Sequence, residues 1–323
     1  MRRAAAALVL VLAFATVSMA GGQRTPVRAM WVWTTVELLA APDARRAFLD
    51  ALAQAQISDV YLYLRADDYR RHEDGLRTLL GALAKKGVRA WGMEGWRGYF
   101  FDAEGPNGFF AAIAGMIAFN ARNGGGFVGF HSDLEPQDGQ GDGVDRFHNG
   151  LPDSRLTPRQ RADRDGLMNE WLALHAEARA RLRAAGLAYG AAVPSWVDDY
   201  EGEPVRIVQN GARVPLLPLL MRTVDEYAIM SYNTEPANVL ARIGGELRQA
   251  DALGDAAPRI LFALETHRGA GRNVSYADTP EKANRAAVTA DFARIAAAAA
   301  AHVAFAGGAI HDWAGWRDLP AGR

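Results

Sequence analysis

Apolar positions along this chain change period again and again, and the changes come in a regular order. Residues 29–33 (Ala-Met-Trp-Val-Trp) form a short run of β-formers. After Pro42-Asp43, residues 44–56 place Phe48, Leu49 and Leu52 on a helical period. Residues 59–64 are strand-like, and residues 69–86 return to the helical period through Leu76, Leu79, Leu80 and Leu83, with Gly87 fitting the C-cap. Residues 88–94 predict a third strand, and beyond an aromatic loop at 95–101 a helix follows near 108–123. A fourth strand is expected at 126–136 and, after a loop at 137–153 rich in Gly, Asp and Gln, a long helix at 157–185 with Thr157 as N-cap and Pro158 in its first turn. Strands at 187–196, 227–233, 259–265 and 305–310 complete the series, with helices at 236–252 and 280–301 between the last three. In the insert after the fifth strand, residues 205–209 and 212–214 flank Asn210-Gly211, a strong signal for a tight hairpin.

Eight strands alternating with helices, several of them apolar on both faces, predict a parallel sheet closed by helices, a (β/α)8 TIM barrel. An open doubly wound sheet is the competing architecture, but no glycine-rich phosphate fingerprint follows the first strand. No linker or fixed-period repeat divides the region 24–323, which reads as a single domain.

Composition narrows the class. Residues 1–20 resemble a secretory leader: Arg2 and Arg3, an apolar stretch, then Ser18-Met19-Ala20 as a small-x-small cleavage site. An uncleaved anchor is the alternative. Removing the leader leaves 34 basic against 37 acidic residues, so no basic surplus points to nucleic acid, and no membrane association is expected after cleavage. The chain has no cysteine, which excludes disulfides, thiolate metal sites and a cysteine nucleophile. The expectation is an exported protein, periplasmic or extracellular, needing no cofactor and no metal.

The candidate chemistry concentrates at 126–136. His131, Asp133 and Glu135 alternate, so a strand would project all three to one face, and Pro136 closes it. In a (β/α)8 barrel, reacting groups stand on the C-terminal strand ends. Those ends carry Trp33, Arg65, Glu94, the His131/Asp133/Glu135 set, Trp196, Tyr232 with Asn233, Glu265 with His267, and His311, Asp312 and Trp313. Carboxylates among tryptophans and tyrosines suit a saccharide, because aromatic faces stack on the pyranose ring while carboxyl groups handle protons at the glycosidic oxygen.

Three segments carry a family resemblance. Ser132-Asp133-Leu134-Glu135-Pro136 resembles the fourth-strand DxxDxDxE motif of the chitinase-like glycoside hydrolases of family 18. Met230-Ser231-Tyr232-Asn233 is similar to that family's sixth-strand element, and the Gly307-Gly308 run followed by Trp313 to its eighth. The earlier motif aspartates fall on Val128 and His131, which marks a divergent relative. The resemblance implies Glu135 as general acid, Asp133 orienting a 2-acetamido group that attacks the anomeric carbon, Tyr232 supporting that group, and Trp313 flooring the subsite. Trp33, Glu94, His131, Trp196, Asn233 and Asp312 are the remaining candidate saccharide contacts, Glu94 with an ion pair to Arg65 as its other reading.

Other readings use the same residues. Glu135 and Glu265 resemble the acid/base and nucleophile of retaining barrel glycosidases, although Leu134 stands where that clan has Asn. His131, Asp133, His311 and Asp312 could instead bind a divalent metal for hydrolysis. A barrel that binds sugar without cleaving it is the last.

Overall fold

The computed structural model describes residues 26–95, 100, 105–138 and 145–322. The expected leader, most of the aromatic loop at 95–101 and part of the polar loop at 137–153 lie outside the described residues. In chain order the elements are β1 (Val27–Val32), α1 (Thr35–Ala40), α2 (Pro42–Gln54), β2 (Asp59–Tyr63), α3 (Asp68–Arg71), α4 (Glu73–Lys85), β3 (Arg89–Glu94), α5 (Gly105–Asn123), β4 (Phe127–Asp133), α6 (Pro158–Ala184) and β5 (Ala188–Pro194). The hairpin β6 (Arg206–Gln209) and β7 (Ala212–Pro215) follows, then α7 (Leu217–Met221), β8 (Glu226–Met230), α8 (Pro236–Leu253), β9 (Arg259–Glu265), α9 (Arg285–Ala299), β10 (Phe305–His311) and α10 (Trp313–Asp318). Eight strands close into a parallel barrel in the order β1-β10-β9-β8-β5-β4-β3-β2.

Local chemistry explains most of the boundaries. Thr157 caps α6 in a reciprocal pair with Gln160. The helix expected at 69–86 is broken at His72 (φ −116°, ψ 25°) into α3 and α4. The one expected at 280–301 starts later, where the Asn284 side chain accepts from the Ala287 amide. Asn210 (φ 51°) and Gly211 (φ 79°) form the hairpin turn, both in the left-handed region that a two-residue turn of this type requires. The hairpin braces α6, with Arg213 bridging Asp153 at 2.7 Å and Asp165 at 2.8 Å.

Two apolar layers result. Leucines, isoleucines and phenylalanines fill the space between sheet and helices. The lumen holds Trp31, Tyr61, Trp91 and Met93 from β1 to β3, facing Ala192, Ala228, Ala263 and Ala309 from the other side. Mostly bulky groups on one half meet mostly alanines on the other, so the side chains interdigitate across the barrel. Gly129 belongs to this fit: a Cβ there would stand 2.5 Å from the Trp91 ring and 2.6 Å from the Ala188 carbonyl oxygen. Gly129→Ala is expected to destabilise the protein by about 1–3 kcal/mol, visible as a lower urea midpoint at unchanged slope.

Candidate functional site at the barrel mouth

Alternate residues of each strand face the lumen. Counting up from Trp31, Tyr61, Ala228, Ala263 and Ala309 therefore reaches Trp33, Tyr63, Tyr232, Glu265 and His311 at the C-terminal mouth. On β4 the inward side is set by Gly129, so His131, Asp133 and Glu135 follow in that register. The mouth is walled by aromatic rings: Trp33 and Tyr63 lie 5.5 Å apart between centroids, and Tyr232 lies 5.7 Å from the His311 ring.

His311 stands at the centre of a hydrogen-bonded row. Its Nδ1 is 2.8 Å from Glu265 Oε2, and the Trp33 Nε1–H donates to its Nε2 at 2.9 Å. An indole N–H only donates, so Nε2 must carry the lone pair and Nδ1 the proton. The other Glu265 oxygen accepts from the His267 amide at 2.6 Å. Burial pulls the His311 pKa down, but the hydrogen bond and charge of Glu265, then Asp312 and Asp133, outweigh it and leave the pKa raised.

Four carboxylates act electrostatically on Tyr232. Burial, and then the charges of Glu265, Asp133, Glu135 and Asp312 in that order, push its hydroxyl pKa far above the ordinary phenol value. Gln137 Nε2 donates to Glu135 Oε2 at 2.7 Å and holds that carboxyl just past the end of β4.

A second polar layer lies beneath. His131 is fully buried and stacked on Tyr61 at 3.8 Å, under the edge of Trp31. Tyr61 donates to Glu226 at 2.5 Å, Glu226 pairs with Arg259 at 3.2 Å, and Asp59 takes Arg89 at 2.8 Å and the Trp91 indole at 3.0 Å. Burial, and secondarily His175, lowers the His131 pKa to about 3, so the ring is neutral.

Several expected contacts are thereby relocated. His131 meets no solvent, and Trp31 separates it from His311, so His131, Asp133, His311 and Asp312 do not gather as one ligand set. Among the described residues no group of three or more His, Cys, Asp or Glu side chains is placed to hold a metal ion. Trp313 is not a floor: it is 4 % exposed and packs on Phe48 of α2, outside the barrel wall. Trp196 packs on Phe147 at 4.6 Å and on Trp171 of α6, not on the mouth. Asp312 is the N-cap of α10, accepting from the Gly315 amide at 2.8 Å, and the Asn233 side chain accepts from the Glu235 amide at 2.9 Å on the way into α8. Glu94 follows inward-facing Met93 and so belongs to the outer side of β3. Burial, opposed by Arg65 and assisted by Asp133, raises its pKa to about 7, while Arg65 itself donates to the Tyr63 hydroxyl at 3.3 Å. Trp33, Asp133, Glu135, Tyr232 and Glu265 remain together at the mouth. His311, named from sequence as a strand end, stands with them, and Tyr63 joins them; Tyr63 shares register with the lumen residue Tyr61, which was its signal.

No family model matches the chain, and no curated protein matches it. Solved structures do match. The spore cortex-lytic enzyme SleL of Bacillus cereus is 10% identical over 93% of this chain and 73% of its own, with a TM-score of 0.50. A class V chitinase from Pseudomonas fluorescens Pf-5 is 13% identical over 88% and 94%, with a TM-score of 0.49. A family 18 chitinase from Cycas revoluta solved with a bound N-acetylglucosamine trimer is 13% identical over 74% and 68%, with a TM-score of 0.42. The structural neighbours are thus chitinases and related enzymes, as the sequence motifs led one to expect, and what the chain shares with them is the closed (β/α)8 barrel.

Proposed function

We propose that the chain is an exported glycoside hydrolase acting on saccharides that contain N-acetylated sugars, with Glu135 as general acid. Asp133 orients and stabilises the substrate's acetamido group, Tyr232 supports the acetamido oxygen, and Trp33 stacks on a sugar ring. The observation that carries this reading is that the charges of Asp133, Glu135 and Glu265 all act on the Tyr232 hydroxyl in a mouth walled by Trp33, Tyr63 and the His311 ring. A barrel of this fold serves as a cortex-lytic enzyme in SleL. The engagement of both Glu265 oxygens, with the His267 amide and with His311, speaks against Glu265 as a nucleophile and for its use as a support.

The test is a screen of chitin and peptidoglycan fragments for release of reducing ends, with de-N-acetylated counterparts alongside. Substrates lacking the acetamido group should fail, and Glu265→Gln should keep a kcat within about a hundredfold of wild type, since it removes support and not the attacking group. Binding without release of reducing ends would make the protein a saccharide-binding barrel. Equal turnover of de-N-acetylated substrates would end the substrate-assisted mechanism.

A further inference from the structure

The polar edge of Trp33 is held by another side chain of the mouth. Its N–H points at His311 Nε2 at 2.9 Å, and the opposite nitrogen of the same ring points at Glu265 at 2.8 Å. Glu265 is itself pinned by the His267 amide at 2.6 Å and is 5 % exposed. The three side chains come from the ends of β9, β10 and β1, which are neighbours in the barrel. The row therefore runs across the floor of the mouth from a buried carboxylate to a half-buried indole. It has one consistent polarity: carboxylate accepts, imidazole donates and accepts, indole donates.

We propose that Glu265 and His311 are positioning residues that fix the plane of Trp33 as a sugar-stacking platform, acting on the saccharide through the indole and not on the reacting bond. The proposal rests on the carbohydrate reading of the mouth. A free indole at a strand end turns about two side-chain bonds, and stacking on a pyranose requires one orientation; a hydrogen bond at the indole N–H supplies it. Glu265 sets the imidazole tautomer by taking the Nδ1 proton, which leaves Nε2 bare for Trp33.

The same row makes the platform sensitive to protons. A second proton on His311 lands on Nε2 and faces the Trp33 N–H, so donor meets donor and the indole is released. The charged groups facing His311 are Glu265 from β9, Asp133 from β4 and Asp312 beside it; Tyr232 from β8 packs on its ring. The three carboxylates favour the imidazolium and Trp33 opposes it. Platform order is thus present above the His311 pKa and lost as pH falls through it.

The experiment reads tryptophan emission and the Kd for N-acetylglucosamine oligomers between pH 5 and 9, on wild type, Trp33→Phe, His311→Gln and Glu265→Gln. An imidazolium beside an indole quenches its emission. Wild type is expected to show an emission step that His311→Gln lacks and Trp33→Phe reduces to the share of Trp31, whose ring also lies 5.8 Å from His311, and a Kd that rises about tenfold on the acid side, the worth of one lost hydrogen bond. Glu265→Gln offers one carbonyl oxygen to two donors, the His267 amide and His311 Nδ1–H, so its Kd should be raised about tenfold already at high pH. Emission that is flat in wild type, or a step undiminished in Trp33→Phe, overturns the relay. An emission step in a protein that binds no saccharide at any pH overturns the platform role together with the carbohydrate reading, so the two failures are distinct.

Discussion

Glu135→Gln is expected to lower kcat on N-acetylated glycans by about a thousandfold while leaving KM within a few-fold of wild type. General acid catalysis by one positioned carboxyl contributes about 10²–10⁴ in rate, and an amide of the same shape cannot deliver a proton to the departing oxygen. The substitution keeps the Gln137 contact, because an amide oxygen accepts from Gln137 Nε2 as the carboxylate does at 2.7 Å. Folding should therefore be intact, which a urea melt on the same sample checks. Release of reducing ends at more than a tenth of the wild-type rate would show that the leaving group takes its proton from elsewhere.

The second large effect lies away from the mouth. Glu246 on α8 is fully buried, and neither carboxyl oxygen has a hydrogen-bond partner among the described residues. Burial, and then the charge of Asp198, raises its pKa from 4.5 to about 9. Asp198 is wedged against the backbone of the same helix, where a Cβ on Gly245 would lie 1.7 Å from its Oδ2, and its charge acts on Glu246. The unfolded chain releases the Glu246 proton above pH 4.5, whereas the native state keeps it to about pH 9. The stability contributed by the protonated form is thus complete at acid pH and drains away as pH rises through that window. Glu246→Gln fixes the neutral form and should stabilise the protein by about 3 kcal/mol at pH 7, with the advantage growing by about 1.4 kcal/mol per pH unit toward pH 9. Urea melts of both proteins at pH 5, 7 and 9 measure this; a constant difference across the three would show that the side chain is charged and solvated in the native state.

The barrel was legible because alternation, helical period and turn chemistry agreed along the chain. The seventh barrel strand was bounded from sequence as Arg259–Glu265, and the Asn210-Gly211 turn fell where expected. The mouth was legible only as far as the strands run. Glu135 lies two residues past β4, held by Gln137, and Asp133 and Glu265 sit where the alternation puts them. Trp196 and Trp313 do not, because β5 stops at Pro194 and β10 at His311, and beyond those points the chain turns outward to pack on helices. The last strand runs one residue past Ile310, to His311, which was named from sequence only as a strand end and candidate metal ligand and shares the inward side with Ala309. Glu94 could have been assigned to the outer side by the same count from Met93. His131 obeyed the count but lies one layer too deep, a distinction of depth that a list of strand ends does not carry.

The stacked His131–Tyr61 pair and the ion pairs below it stopper the barrel's lower half. Traffic through such a molecule has a single door. A saccharide cut as proposed would lie across the rim and not thread the cylinder, and both fragments would back out the way they came.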